Sequence, residues 1–592
     1  MPKKAVDSKA KKKWVDGLLG KLDLKQKIGQ LIVTGFYGPF ITPDIVELIK
    51  KYHVGGLRIT QKFHGGTGDH RTGKELPHYL ARSSHDPGPK TYDRPADLRR
   101  ISCTPVEYAE ILNRLRDYAL DREHSVGLHF AFDQEGEGAD FFFRFRLFPY
   151  PMGLRASGEP RLAYNVARAI GKQARALGAN MIHSPVLDVN TNLNNPEIGT
   201  RSYGNTRDSV IEYALQSLKG FQETQITATA KHFPGRGASD KDAHFGLPFV
   251  DLDEETLREV HVAPYKALID AGLPAVMAAF TAYPALGTGD IPAAASKEII
   301  TGILREELGF NGVITTDAVQ MGGLLEKYEI ADAVIRCLQA GCDLFLSRAV
   351  TPVNEYLLAR VAEAVKTGAY PESQLDESVQ RILSMRWDMG LAKDGGKVIA
   401  ANAGDFFDDP FVVDTAVKAA QKCTVLFRDE AGLLPLKPDQ RVLLVEQVHH
   451  FHSFINDMYA HPGLLWEELC ALSDNVSVVL IRERYTKQDE LAVLNRLSEG
   501  DVIVATSYYN YRTGAIMIPL LEKLRESGKP VVVVANTPYP AFGVPECFPT
   551  AIVSFCPSGR EDIRVIAQAL YGKLQLTAQL TDQFSARRVG SL

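Results

Sequence analysis

ITATAKHFPGRGASDKDAHFGLP, residues 226–248, begins as a short apolar run and ends as a polar loop. Its first residues are apolar or β-branched almost throughout, as in a strand buried on both faces of a parallel sheet. Lys231 and His232 finish that strand, Pro234 and the glycines at 235 and 237 break regular structure, and Asp242 and His244 follow two residues apart. Outward from it the pattern repeats at 28–36 (IGQLIVTGF), 54–60 (VGGLRIT), 128–134 (LHFAFDQ), 181–188 (MIHSPVLD), 275–283 (AVMAAFTAY), 312–318 (GVITTDA) and 343–347 (DLFLS). With 226–233 these make eight predicted strands, separated by amphipathic helical stretches such as EYAEILNRLRDYAL and RLAYNVARAIGKQARALG. Eight β/α units over residues 1–393 predict an α/β fold: a (β/α)8 TIM-like barrel.

Asp133, Asp188, Lys231, His232 and Asp317 all fall at or just beyond the C-terminal ends of these strands, the end of a TIM barrel that carries the active site. An Asp and a His as close as Asp242 and His244 can form a hydrogen-bonded dyad, in which the carboxylate fixes the tautomer and stabilises the imidazolium. Such a histidine serves as a general acid and base near neutral pH. Asp317, ending the strand of NGVITTDAVQMGG, is placed to act as a nucleophile toward an anomeric carbon, or as a helix N-cap.

Beyond residue 393 the text changes. The stretch 394–413, rich in Gly, Asp and Ala, reads as a linker. Strands then recur at 424–429, 441–448, 476–482, 502–508, 531–536 and 550–555, which predicts a second α/β unit over 414–592, a doubly wound sandwich with helices on both faces. No GxGxxG follows its first strand, so no dinucleotide is expected there. Within the barrel, residues 61–105 form an insertion of little hydrophobic periodicity. Its histidines at 64, 70, 78 and 85 fit no zinc spacing, and the segment reads as a solvated or substrate-covering loop.

The chain of 592 residues is 45% hydrophobic and 23% charged, the proportions of a globular protein with ample core. A net charge of −5 offers no basic field for nucleic acid, and no apolar run reaches the length that spans a bilayer. The opening MPKKAVDSKAKKKW reads as a solvated leader rather than a signal peptide. Seven scattered cysteines, without paired spacing, fit a reducing cytoplasm.

In order along the chain stand DQEG (133–136), SPVLDVNTNLNNPEIGTRSYG (184–204), KHFPGRG with D-x-H, and GVITTD, whose Asp317 lies 73 residues after His244. This set resembles glycoside hydrolase family three, and more narrowly its bacterial β-N-acetylglucosaminidase branch, across about residues 20–393. KCTVLFRDEAGLLPL carries the likeness more weakly into the second unit. The resemblance implies a retaining exo-glycosidase that releases terminal β-linked N-acetylglucosamine from small soluble glycosides. Asp317 matches the nucleophile, His244 the acid/base and Asp242 its partner. Asp133, Arg201, Lys231 and His232 match positions that hold the sugar, and Arg144, or alternatively Arg146, matches the arginine that follows DQEG. The expected partner is a small-molecule glycoside, with no metal, no organic cofactor, no nucleic acid and no membrane, on a monomer or homodimer.

Departures from the pattern are Arg236 where the family commonly has His, Ala243 where Ser separates the dyad, and Glu137 in place of a glycine. They leave open a glycosidase acting on a different β-glycoside. They also leave open a glycoside phosphorylase, since a neutral imidazole does not repel phosphate and Arg236 adds a cation, which could equally form a surface salt bridge. A non-catalytic sugar-binding protein on the same fold is the rival of another class.

Overall fold

The computed structural model describes residues 4–37, 40–60, 104–137, 145–348, 351–448, 462–482, 485–509 and 514–580. Most of the 61–105 insertion, and Arg144, lie outside them.

Eight parallel strands close a barrel in chain order: β1 Ile32–Tyr37, β2 Gly56–Thr60, β3 His129–Phe132, β4 Met181–Ile182, β5 Thr227–Phe233, β6 Ala275–Ala278, β7 Val313–Ala318 and β8 Leu344–Ser347. Closure is the pairing of Ile32, Val33 and Thr34 in β1 with Phe345, Leu346 and Ser347 in β8. Every residue of β2, β3, β5, β6 and β8 is buried, which explains why these strands read as continuous apolar runs. Helices cover the outside. The helix Pro160–Leu177 buries Leu162, Val166, Ala169, Ile170, Gln173 and Leu177, the spacing of one helical face. It stops at Gly178, whose φ of 95° is the left-handed cap that a glycine adopts without strain.

Three local expectations are corrected. The strand expected from residue 28 starts at Ile32, because Leu24–Gly29 is a helix held by a capping box between Asp23 and Gln26. The strand expected over 181–188 keeps only Met181–Ile182, since Pro185 has no N–H to offer a ladder; pairing resumes as a single bridge between Val186 and Lys231. The basic opening expected as a solvated leader is helical over Lys4–Leu19, with Val15 buried and Trp14 against Trp387. Its Ala- and Lys-rich text contains strong helix formers, and the one buried side is enough to seat it.

The second unit holds a six-stranded sheet: β9 Val425–Asp429, β10 Val442–Gln447, β11 Val476–Ile481, β12 Val502–Ser507, β13 Val531–Ala535 and β14 Thr550–Val553. The order is β11-β10-β12-β13-β14-β9, parallel except for β9, which runs antiparallel along β14. Alternate residues feed two cores. Val442, Leu444, Val532 and Val534 face the helices Leu464–Cys470 and Arg560–Leu570. Leu443, Val445, Val531 and Val533 share the other core with Leu520, Leu524 and, from the barrel, Met152 and Ala156.

The span 394–413 is not an extended spacer. Ala403 and Phe407 are buried in the barrel's core, and a helix, Pro410–Cys423, begins inside the span where Asp409 accepts from the backbone of Phe411 and Val412. The two units also touch at Tyr150 N, which donates to Phe555 O at 3.1 Å, and at Arg146 Nη1, 2.6 Å from Glu561 Oε1. Glu137 Oε1 accepts from Ser558 N at 2.8 Å.

Burial of Glu137 pushes its carboxyl up to about 7, partly offset by Ser558, against the usual 4.5. Between those pH values the folded state holds the proton that the unfolded chain has lost, so stability falls as pH rises, by up to about 3 kcal/mol at 1.36 kcal/mol per unit. Glu137→Gln keeps an acceptor for Ser558 without a charge. The variant's thermal midpoint should match the wild type at pH 5 and exceed it at pH 8; parallel curves across that range would show that Glu137 does not titrate in the junction.

Candidate active site

The C-terminal strand ends bring the polar residues together. Asp133, just past β3, accepts from Arg58 Nε at 2.8 Å and from Lys231 Nζ at 2.9 Å, and lies 3.3 Å from His183 Nδ1. Lys231 also reaches Glu135 Oε1 at 2.5 Å, and Arg201 grips the same carboxylate with Nε at 2.5 Å and Nη2 at 3.0 Å. Burial opposes ionisation of Asp133, but Lys231, Arg58 and His183 hold its carboxyl well below the usual carboxylate range. Arg201 and Lys231 likewise overcome burial to hold Glu135 at about 2. The result is a floor of alternating fixed charges that can accept from and donate to sugar hydroxyls.

His232 lies beside Lys231 in β5 and points Nδ1 at Asp188 Oδ2, 2.7 Å away. Burial, then the charges of Arg236, Arg201 and Lys231, push its imidazole well below the usual histidine value. The ring is therefore neutral near pH 7. Its Nδ1–H donates to Asp188, and Nε2, an acceptor, lies 3.9 Å from Asp317 Oδ2. Burial raises Asp188 to about 6, partly offset by Arg236, whose backbone N–H donates to Asp188 Oδ1 at 2.7 Å.

Asp317, near the end of β7, keeps 15% of its side chain exposed, and its Oδ1 accepts from Ala318 N at 2.8 Å. Arg236 Nη2 is 3.8 Å from its other oxygen. In the loop after β5, His244 Nδ1 is 2.7 Å from Asp242 Oδ1, and the same oxygen accepts from His244 N at 2.8 Å. Burial opposes the charge on Asp242, but His244 holds the carboxyl down at about 2. Asp242 is thus an anion near neutral pH, and His244, 27% exposed, is the member of the pair that faces outward. A buried anion on one ring nitrogen is the arrangement that lets the other nitrogen give and take a proton.

Of the residues expected from sequence, Asp133, Lys231 and Arg201 meet through Glu135, His232 lies 3.9 Å from Asp317, and Asp242 pairs with His244; Glu197 links the dyad to the rest through Arg236 and Arg201. Arg144 lies outside the described residues. Arg146, its alternative, faces away: Nε donates to Phe407 O at 3.0 Å and Nη1 pairs with Glu561. The surface salt bridge considered for Arg236 is instead a buried pair, 2.6 Å from Glu197 Oε1 with Arg236 1% exposed. The residues not expected are Arg58, Glu135, His183 and Glu197. Arg58 had a signal, a lone cation inside an apolar strand, and Glu135 lies two residues past Asp133 in DQEG. Glu197 had none, because NNPEIG reads as a turn.

Glu197, Asp242 and His244 place one ligand-type atom each within 4.8 Å of one another. An ion among them would have to displace the dyad hydrogen bond and sit against the Arg236 guanidinium, so the cluster is arranged for proton chemistry.

Residues 23–385 match the N-terminal domain of glycosyl hydrolase family 3. The chain is 32% identical over 307 residues to a β-N-acetylglucosaminidase/β-glucosidase of Cellulomonas fimi, covering 50% of this chain and 54% of that protein. It is 33% identical over 360 residues to β-hexosaminidase A of Pseudoalteromonas piscicida, covering 57% and 59%. It thus matches little more than half the length of these curated relatives. Among solved structures, a glycoside hydrolase family 3 β-N-acetylglucosaminidase from Paenibacillus sp. str. FPU-7 aligns with 27% identity and a TM-score of 0.77, covering 94% of this chain and 98% of that one.

Proposed function

The chain belongs to glycosyl hydrolase family 3, and from that premise we propose that it is a retaining exo-β-N-acetylglucosaminidase acting on small soluble glycosides. The observation that carries the reading is the 2.7 Å contact between Asp242 and His244 at the barrel end where Asp317 ends β7. The names of the relatives from Cellulomonas fimi, Pseudoalteromonas piscicida and Paenibacillus support the sugar. The scattered free thiols support a cytoplasmic setting, and no helix among the described residues is long and apolar enough to cross a membrane.

In the first step Asp317 Oδ2 bonds to the anomeric carbon as the bond from that carbon to the leaving oxygen breaks. His244 gives its Nε2 proton to that oxygen, and the carboxylate of Asp242 stabilises the proton left on Nδ1. In the second step His244 takes a proton from water, the water oxygen bonds to the anomeric carbon, and Asp317 leaves. Asp133, Lys231, Arg201 and His232 hold the sugar hydroxyls and N-acetyl group. Arg236 is buried and pairs with Glu197 through Nη2, while its Nε and Nη1 have no hydrogen-bond partner among the described residues.

An aryl β-N-acetylglucosaminide followed by NMR, with and without inorganic phosphate, tests the reading. Free N-acetylglucosamine formed first as the β-anomer in both conditions is expected. A sugar 1-phosphate that replaces it when phosphate is added would make the protein a phosphorylase, and no product would make it a binder. Asp133→Asn should lower kcat/KM roughly 10²-fold, measured at a temperature where the variant is still folded, and should also lower the melting temperature, because a charged acceptor is lost from the sugar site and Arg58 and Lys231 lose a buried counter-charge. Unchanged kinetics would remove Asp133 from that site.

A further inference from the structure

Glu197 touches both the acid/base and the arginine beside the nucleophile. Its Oε1 is 2.6 Å from Arg236 Nη2 and 3.4 Å from His244 Nδ1, and its Oε2 accepts from Ala243 N, the residue between the dyad partners, at 3.3 Å. The side chain is 3% exposed. Its own segment is fixed from both sides: Asn195 Oδ1 accepts from the backbone of Glu197 and Ile198 while Asn195 Nδ2 donates to Arg236 O at 3.0 Å. From the second unit, Tyr509 donates its phenol to Pro196 O at 2.6 Å.

We propose that Glu197 is a positioning residue for the reaction: a second carboxylate on His244 Nδ1 that loads the acid/base with its proton and holds Arg236 back from the nucleophile. The proposal rests on the reading of His244 as the acid/base. Two anions, Asp242 and Glu197, border the ring nitrogen that carries the stabilised proton, so the imidazolium gains from both. Arg236, 3.8 Å from Asp317, is the cation that would oppose the imidazolium and blunt the nucleophile if it had no counter-charge. Glu197 supplies that counter-charge at Nη2, the same nitrogen that lies 3.8 Å from Asp317, and holds it more closely, at 2.6 Å.

The charged groups around Glu197 come from several elements. Burial, the largest influence, raises the Glu197 carboxyl above its usual value and Asp242 adds to the rise, against Arg236, His244 and, at 3.7 Å, Arg201, which favour the ionised form. Asp188, Tyr283 and Tyr509 also feel its field.

The test is the pH profile of kcat/KM on a glycoside with a poor leaving group. Glu197→Gln should move the basic limb, where His244 loses its proton, to lower pH by about one unit, the scale of a lost neighbouring charge. The displacement in rate at pH 8 should be smaller for an aryl glycoside with an acidic phenol, which needs less protonation. A uniform loss of rate with both limbs in place would assign Glu197 a merely structural part and overturn the proposal. Should the single variant fail to fold around a lone guanidinium, Glu197→Gln with Arg236→Gln removes both charges, and its basic limb should still fall, because Glu197 is the member in contact with the ring; a wild-type limb there also overturns it. His244→Ala in parallel separates the two readings: if that variant keeps the basic limb, His244 is not the acid, whereas if it alone loses the limb the failure belongs to Glu197.

Discussion

Asp317→Asn should reduce turnover of an aryl β-N-acetylglucosaminide by several orders of magnitude, the largest loss expected of any single substitution in this chain. The amide has nearly the shape of the carboxylate and can still accept from Ala318 N, so the barrel end should remain intact. It cannot form a glycosyl ester, and it removes the negative charge that faces the developing positive charge of the transition state. Arg236 would then face a neutral group at 3.8 Å while staying paired with Glu197, which limits the structural penalty. Steady-state rates with a matching thermal melt check this. A well-folded variant with wild-type kinetics would show that the nucleophile is elsewhere.

His244→Ala should separate substrates by their leaving groups. General-acid catalysis contributes about 10²–10⁴-fold, so kcat/KM should fall by that order for an unactivated disaccharide. For an aryl glycoside with an acidic phenol, kcat/KM should fall far less, because the departing phenolate needs no proton. The kcat of that same aryl substrate should still drop, since the lost imidazole also activates the incoming water. Asp242, held at about 2 by His244, is an anion near neutral pH and cannot serve as a substitute acid. Equal losses of kcat/KM on both substrates would point to another proton donor.

Much of this site was legible in the chain because its chemistry is concentrated in short runs. KHFPGRGASDKDAH carries Lys231, His232, Arg236, Asp242 and His244 within fourteen residues, on one strand and the loop that leaves it. An apolar run that ends in charge is visible without coordinates, because barrel strands are mostly apolar or β-branched along their length and gather most of their charges where they meet the mouth. For the same reason the eight strands were legible to within a few residues, except where Asp23 captured Leu24–Gly29 as a helix, Pro185 cut β4 short and β6, expected over 275–283, ended at Ala278.

Pairing across the mouth was not legible. Arg58, Asp133, His183, Lys231 and Glu135 lie on four strands or the loops after them, and their contacts of 2.5–3.3 Å span up to 98 positions in sequence. The fate of Arg236 shows the difference most sharply. In sequence it is a lone cation after a strand, suited to a surface salt bridge or to a phosphate acceptor. In the folded chain it is buried against Glu197, which lies 39 residues earlier in a turn of no evident chemistry. Glu137 reads in sequence as a replaced glycine, and only the fold shows it accepting from Ser558 of the second unit.

The sequence by itself determined the barrel, the sheet that follows it, the end of the barrel where polar side chains gather and the residue types available there, because periodicity and strand-end polarity are local properties of the chain. The tertiary structure alone decided which charges neutralise one another, and so which carboxylates stay anionic, which imidazole is neutral and which cation is buried in a pair. Those outcomes depend on burial and on distances of a few ångströms between residues far apart in the chain, where removing water magnifies each charge–charge contact, and no local pattern encodes them.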